Sequence, residues 1–224
     1  SKLQKILMTA DSRHRIWVAG STHEGEETII ASALRRIKKT FPELMLIIAP
    51  RHPDRSPAVS GIFRAHGFIT ALLSELESGK ITRKAEVVVV DRLGLLSRLY
   101  AIADVALVGG SLKTIKGIGG HNPLEPAACA KPIVFGHNMK NFSNMAESFV
   151  TAGGAFQVED ELALTNVIFQ ILSDPLLAAA AGRKALHVMT SNRGAVFSTV
   201  NAIMACASGS KSASTGRQQA DGMH

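Results

Sequence analysis

A chain of 224 residues that is 46% hydrophobic and 19% charged, with 19 Gly and 8 Pro, has a globular composition and the length for one sizeable core or two small ones. That excludes disorder and collagen-like repetition, and no apolar run reaches the roughly 20 residues a membrane helix needs. The excess of 25 Lys and Arg over 18 Asp and Glu anticipates an anionic partner, phosphate or an acidic membrane surface. Nucleic acid is disfavoured, because aromatic residues make up only 5% and the Phe do not cluster with Arg or Lys. Two cysteines, Cys129 and Cys206, lack disulfide or metal-ligand spacing, and no signal-peptide pattern occurs, so the expectation is a soluble chain in a reducing, cytoplasmic setting.

In chain order, β-branched and apolar runs alternate with helical patterns. Residues 15–20 read as a strand, and 24–39 as a helix with Ile29, Ile30, Ala33, Leu34 and Ile37 on one face. A strand at 44–49 and a loop punctuated by Pro53 and Pro57 precede a helix expected over 62–76. The run 86–90 is the clearest strand, followed by a helix at 95–103 and a strand at 104–108. A Gly-rich loop, 109–120, leads to a helix opening at Asn122-Pro123 and a strand at 132–135. A helix at 142–151, a strand at 155–158 and helices at 161–172 and 176–189 complete the order. Beyond residue 206 the chain is Ser, Gly, Lys and Gln with little apolar area to bury, which predicts an exposed tail over 207–224. This βα alternation predicts one α/β domain, a Rossmann-like doubly wound parallel sheet with helices on both faces, over 16–206.

Ligands of such sheets collect at the carboxyl ends of the strands, and four loops there are unusual. In Gly20-Ser21-Thr22-His23-Glu24, Ser21 as N-cap with Glu24 makes a capping box, while free amides and the Ser21 and Thr22 hydroxyls also suit an anion. In Pro50-Arg51-His52-Pro53-Asp54-Arg55, prolines stiffen a segment carrying the planar donor forks of two Arg. Leu93-Gly94-Leu95 alone is an ordinary turn. The fourth loop joins Gly109-Gly110-Ser111 to Gly119-Gly120-His121 and the helix start Asn122-Pro123-Leu124-Glu125. There Asn122 and Glu125 again form a capping arrangement, but the glycine pairs with His121 point to backbone approaching a ligand. Neither Walker nor GxGxxG spacing is present, His66, His137 and His187 are scattered, and no metal-ligand set, GxSxG or HExxH occurs.

Taken together, GSTHEGEE at 20–27, IIAPRHPDR at 47–55, YAIADVALVGGS at 100–111, GGHNPLEPA at 119–127 and FGHNMKNF at 135–142 resemble the 3-deoxy-D-manno-octulosonic acid (Kdo) transferases of lipid A core assembly. That family is similar to two-domain glycosyltransferases of the B type, and the resemblance implies a cytidine monophosphate sugar donor (CMP-Kdo), an inverting transfer to lipid A precursor, and no metal or other cofactor. It implies that Pro50 and Arg51 touch the cytidylate, that Leu93, Gly94 and Leu95 line the base, and that Asn122, Pro123, Leu124 and Glu125 hold phosphate and ribose. Ser21, Thr22, His52, Gly110, Ser111, Gly120, His121 and Asn141 complete the expected donor site. Two features depart from the family: Leu95 replaces an acidic residue, and the loop 112–118 is longer.

The family's N-terminal half, with the acceptor site, membrane anchor and catalytic carboxylate, has no counterpart in this sequence. The chain is therefore expected to be the C-terminal, donor-binding half, silent alone, with 1–15 as interdomain connection. The whole protein would act on the cytoplasmic side of a bacterial inner membrane. A uridine diphosphate sugar transferase or epimerase of the same fold, and a non-catalytic nucleotide-binding module, are the alternatives.

Overall fold

The computed structural model describes residues 15–79, 85–113 and 116–191. Two compact units divide the chain, Ser1–Val188 and Met189–His224. The first holds the sheet and the site described below. The expected tail over 207–224, and the expected connection apart from Arg15, lie outside the described residues.

Seven parallel strands form one sheet: β1 (Ile16–Thr22), β2 (Met45–Pro50), β3 (Thr70–Leu72), β4 (Val87–Val89), β5 (Val105–Val108), β6 (Ile133–Gly136) and β7 (Ala155–Val158), in the order β3-β4-β2-β1-β5-β6-β7. Between them run helices α1 (Glu26–Ile37), α2 (Ser56–Ala65), α3 (Leu73–Glu77), α4 (Leu96–Ile102), α5 (Leu124–Ala128) and α6 (Ser143–Ala152), and after β7 come α7 (Glu161–Ser173) and α8 (Pro175–Ser191). Among the described residues no single helix is long and apolar enough to cross a membrane.

Alternation along the strands sorts the core into two layers. Trp17, Ala19, Leu46, Ile48, Val87 and Val89 face α1 and α7 through Ile30, Leu34, Ile168 and Leu172. Ile16, Val18, Ile47 and Val88 pack with Leu73, Leu99 and Tyr100 of α3 and α4. A sheet covered on both faces needs strands that are apolar throughout, which is why Met45–Pro50 and Val105–Val108 are buried at every position. The doubly wound architecture is the one the βα alternation predicts.

One predicted helix, 62–76, is instead helix, strand and helix. Gly67, at φ +90°, ends α2 in a left-handed turn. The Gly67 N–H bonds Arg64 O at 2.9 Å and the Phe68 N–H bonds Phe63 O at 3.1 Å, while the Phe63 and Phe68 rings sit 6.2 Å apart. This is a Schellman stop with its hydrophobic contact, and it frees Thr70–Leu72 to pair with β4. A Cβ at Gly67 would meet nothing within 4 Å, so Gly67→Ala isolates the backbone cost. Urea denaturation should show a loss of about 1 kcal/mol.

Candidate functional site

From β1 the chain runs to β2 on one side, and later crosses from β4 to β5 on the other, so the loops that leave the paired ends of β1 and β5 part towards opposite faces and leave a crevice. A cleft of about 240 Å³ opens there, bounded by the ends of β1, β2, β4 and β5 and by the loop entering α5. Its floor depends on Gly20: a Cβ at that position would stand 2.1 Å from the Tyr100 hydroxyl. Tyr100 is 2% exposed, and burial, with the Glu125 charge second, pushes its phenol well above the usual range. Its ring packs in the core while its hydroxyl end borders the cleft.

The Gly-rich loop is held from beneath by Glu26. This side chain is fully buried, and its Oε2 accepts from the N–H groups of His23 (2.9 Å) and Gly110 (2.8 Å), its Oε1 from those of Ser111 (2.9 Å) and Leu112 (2.8 Å). Burial pushes the carboxyl above its ordinary range, and the four backbone donors oppose that rise. Asn138 ties the same loop from the other side, its Nδ2 donating to Gly110 O, Lys113 O and Ile118 O at 3.3, 3.1 and 3.0 Å. A Gly120 N–H to Gly110 O bond of 2.9 Å closes the loop on itself.

Of the expected donor residues, Ser21, Pro50, Arg51, Leu93, Gly94, Leu95, His121, Asn122 and Glu125 line the cleft. Thr22 and Ser111 do not: both are fully buried, Thr22 Oγ1 donating to Glu27 Oε1 and Ser111 Oγ bridging Val108 O and the Gly136 N–H. Gly110 and Gly120 shape the loop, and their left-handed φ of 70° and 78° explains why glycine stands there. His52, Pro123 and Leu124 lie beside the lining residues. Asn141 is an exposed residue whose N–H bonds Gly119 O at 2.8 Å. Gly20, Ala49, Val90, Arg92, Leu96, Tyr100 and Val108 also line the cleft and were not expected.

Both expected capping boxes are absent. Gly25 takes φ +87° and α1 begins at Glu26, so Ser21, itself at φ 57°, forms the irregularity before the last residue of β1 instead of capping a helix. At α5 the Asn122 Oδ1 accepts from the Leu124 N–H at 3.0 Å, but Glu125 accepts from Ser97 Oγ at 3.2 Å and makes no reciprocal bond. The helix is a single turn of 5 residues, so its dipole adds little.

Above the cleft three imidazoles converge. The His23 and His121 rings are parallel to within 2° and meet end to end, their centroids 5.0 Å and their Nε2 atoms 2.7 Å apart, and His52 meets His23 edge-on at 6.1 Å. Burial first, then the charges of His23, Arg51 and His52, holds His121 down at about 4. His23 is lowered by burial and then by His52. Because the folded value for His121 lies below the ordinary 6.5, the neutral ring's contribution to stability is complete above pH 6.5 and is lost as pH falls towards 4. Denaturation at pH 7 and pH 4.5 should show the parent losing about 1–2 kcal/mol more than His121→Gln, after allowance for solvent screening at a half-buried site. Equal losses would contradict this environment. Among the described residues no group of three or more His, Cys, Asp or Glu is placed to hold a metal ion.

No family model matches the chain. It is 38% identical over 157 residues to a bifunctional glycosyltransferase/methyltransferase of Fusobacterium nucleatum, covering 70% of this chain and 23% of that protein. It is 34% identical over 184 residues to the 3-deoxy-D-manno-octulosonic acid transferase of Haemophilus influenzae, covering 81% of this chain and 42% of the relative. Transferases of the same name from Aquifex aeolicus and Bordetella pertussis match at 36% and 30%. Among solved structures, the C-terminal CMP-Kdo binding domain of WaaA from Acinetobacter baumannii superposes with a TM-score of 0.72 at 28% identity, over 80% of this chain and 90% of that one. The chain thus spans about two fifths of the length of the transferases it matches, or less. By sequence and by fold it belongs with the 3-deoxy-D-manno-octulosonic acid transferases, as the counterpart of their C-terminal domain.

Proposed function

We propose that this chain is the donor-binding part of an inverting glycosyltransferase that moves Kdo from cytidine monophosphate onto a lipid A precursor. The carrying observation is the cleft at the β1–β5 divergence, in a domain whose solved relative is described as binding CMP-Kdo. The lining suits such a ligand. Leu93 is a large apolar side chain left 68% exposed at the rim, a surface a pyrimidine can cover. Arg51 offers a planar fork suited to phosphate, and Glu125, which accepts from Ser97 Oγ through one oxygen, can also accept from ribose hydroxyls.

On this reading Arg51 and the neighbouring imidazoles balance the phosphate without a metal or other cofactor. The acceptor lipid and the catalytic carboxylate belong to the rest of a longer protein at the cytoplasmic face of a bacterial inner membrane, where the basic charge of this part favours an acidic surface. Isothermal titration of cytidine monophosphate and uridine diphosphate into the chain tests the proposal. Preference for cytidine monophosphate is expected. Equal or stronger binding of uridine diphosphate would overturn it.

Because Glu125 makes no capping box, Glu125→Gln should leave the melting temperature unchanged while weakening cytidine monophosphate binding about three- to tenfold, an amide being the poorer acceptor. Unchanged affinity in the folded variant would remove Glu125 from the ribose site.

A further inference from the structure

His23 and His121 reach each other from different elements, the β1–α1 turn and the loop entering α5, across 98 residues of sequence. At an Nε2 separation of 2.7 Å one nitrogen must carry the hydrogen and the other must accept it. If both rings were fully protonated, two N–H groups would face one another. The contact therefore admits at most one extra proton, shared by the pair. His121 forms part of the cleft wall, whereas His23 is 9% exposed and stands behind it.

The surroundings decide where that proton goes. The loop after β2 brings Arg51, His52 and Arg55 to bear on the pair, all disfavouring a second positive charge. From α1, Glu27 favours protonation of His23, but Arg55 already grips it with Nη1–Oε1 and Nη2–Oε2 bonds of 2.8 and 3.3 Å. Glu26 is engaged by four backbone N–H groups, and Lys113 of the Gly-rich loop lies against the same turn at Gly25. These neighbours thus bias both rings towards the neutral form. An anion placed between Arg51 and His121 reverses the local potential, since it offsets the cationic neighbours and gives an imidazolium a partner. We propose that the His23–His121 pair takes up one proton as an anion enters the cleft, so that the site binds anion and proton together. His23 acts here as the positioning residue that fixes the tautomer of His121. The inference rests on the reading of this cleft as an anionic nucleotide site.

Calorimetric titration of cytidine monophosphate, and separately of inorganic phosphate, in two buffers of different ionisation enthalpy counts the protons bound. At pH 6 the parent should take up towards one proton per ligand more than His121→Gln or His23→Gln, and this excess should vanish at pH 8. The parent's affinity should rise by about three- to tenfold more than the variants' between pH 8 and pH 6. The ligand's own phosphate proton, which titrates near pH 6, is common to parent and variants and cancels in the difference. Should a variant fail to fold, imidazole ¹⁵N shifts of the parent titrated with inorganic phosphate give the same answer, both rings being expected to titrate at higher pH with phosphate bound. Cytidine monophosphate binding with equal proton uptake in parent and variants would overturn the proton pair and leave the donor reading standing. Excess uptake with phosphate, but no added affinity for cytidine monophosphate over phosphate, would do the reverse. No heat with either ligand would overturn both.

Discussion

Glu26→Ala is expected to lower folding stability by about 3–5 kcal/mol, because it strands a set of buried donors at once. The N–H groups of His23, Gly110, Ser111 and Leu112 all end on its two carboxylate oxygens, in a place that excludes water. Glu26→Gln keeps one acceptor oxygen and turns an NH₂ towards the other two amides, so an intermediate loss of about 2–3 kcal/mol follows. The urea midpoint should fall in that order at constant slope. A Glu26→Ala midpoint within error of the parent would mean that the Gly-rich loop is held by other contacts. The loss should also reach the ligand site, since the loop so anchored leads through Gly120 to His121 and Asn122.

Arg51→Ala should weaken cytidine monophosphate binding by about 10- to 100-fold, the size of a lost charge-assisted hydrogen bond to phosphate. The fold should not register the change. Arg51 is exposed, its backbone N–H is bonded to Thr22 O at 2.9 Å, and that bond survives truncation of the side chain. Arg51→Lys is the informative companion, because it keeps the charge but not the fork; recovery of less than half the lost binding energy is expected. A melting temperature equal to the parent's with undiminished affinity for both variants would place the phosphate elsewhere in the cleft.

Much of this was legible in the residues, for identifiable reasons. Strands buried on both faces read as unbroken apolar runs, so Leu46–Ala49 and Val87–Val89 stood out without any alternation. Thr70–Leu72 did not: three residues carry too little pattern, and the stop at Gly67 was passed over inside a helical reading. Both capping boxes failed because the spacing of side chains does not fix where a helix starts: the left-handed Gly25 sets the start of α1 at Glu26, beyond Glu24, and α5 is a single turn that opens only at Leu124.

The site divides along the same line. Residues at strand ends and in the loops that follow, such as Pro50, Arg51 and, through the Gly-rich loop, Asn122, could be named because ligands of such sheets collect there. Tyr100 could not, since an aromatic on a helix reads as core until the missing Cβ of Gly20 is seen to make room for its hydroxyl. Glu26 carried a usable signal in its position. Its spacing to Ile30, Ala33, Leu34 and Ile37 puts it on the buried face of α1, where a carboxylate requires donors. Those donors are the His23 amide and three amides of the Gly-rich loop, whose glycines pointed to a ligand instead.

Mapping cytidine monophosphate onto the chain by amide chemical shifts tests the location of the site most directly. With saturating ligand, the largest shifts are expected at Gly20, Ser21, Arg51, Leu93 to Leu96 and His121 to Glu125, with α7 and β7 unmoved. Shifts that leave those cleft amides in place, and gather instead around Arg35, Arg36 and Lys39 at the far end of α1, would contradict the assignment of the donor to the β1–β5 divergence.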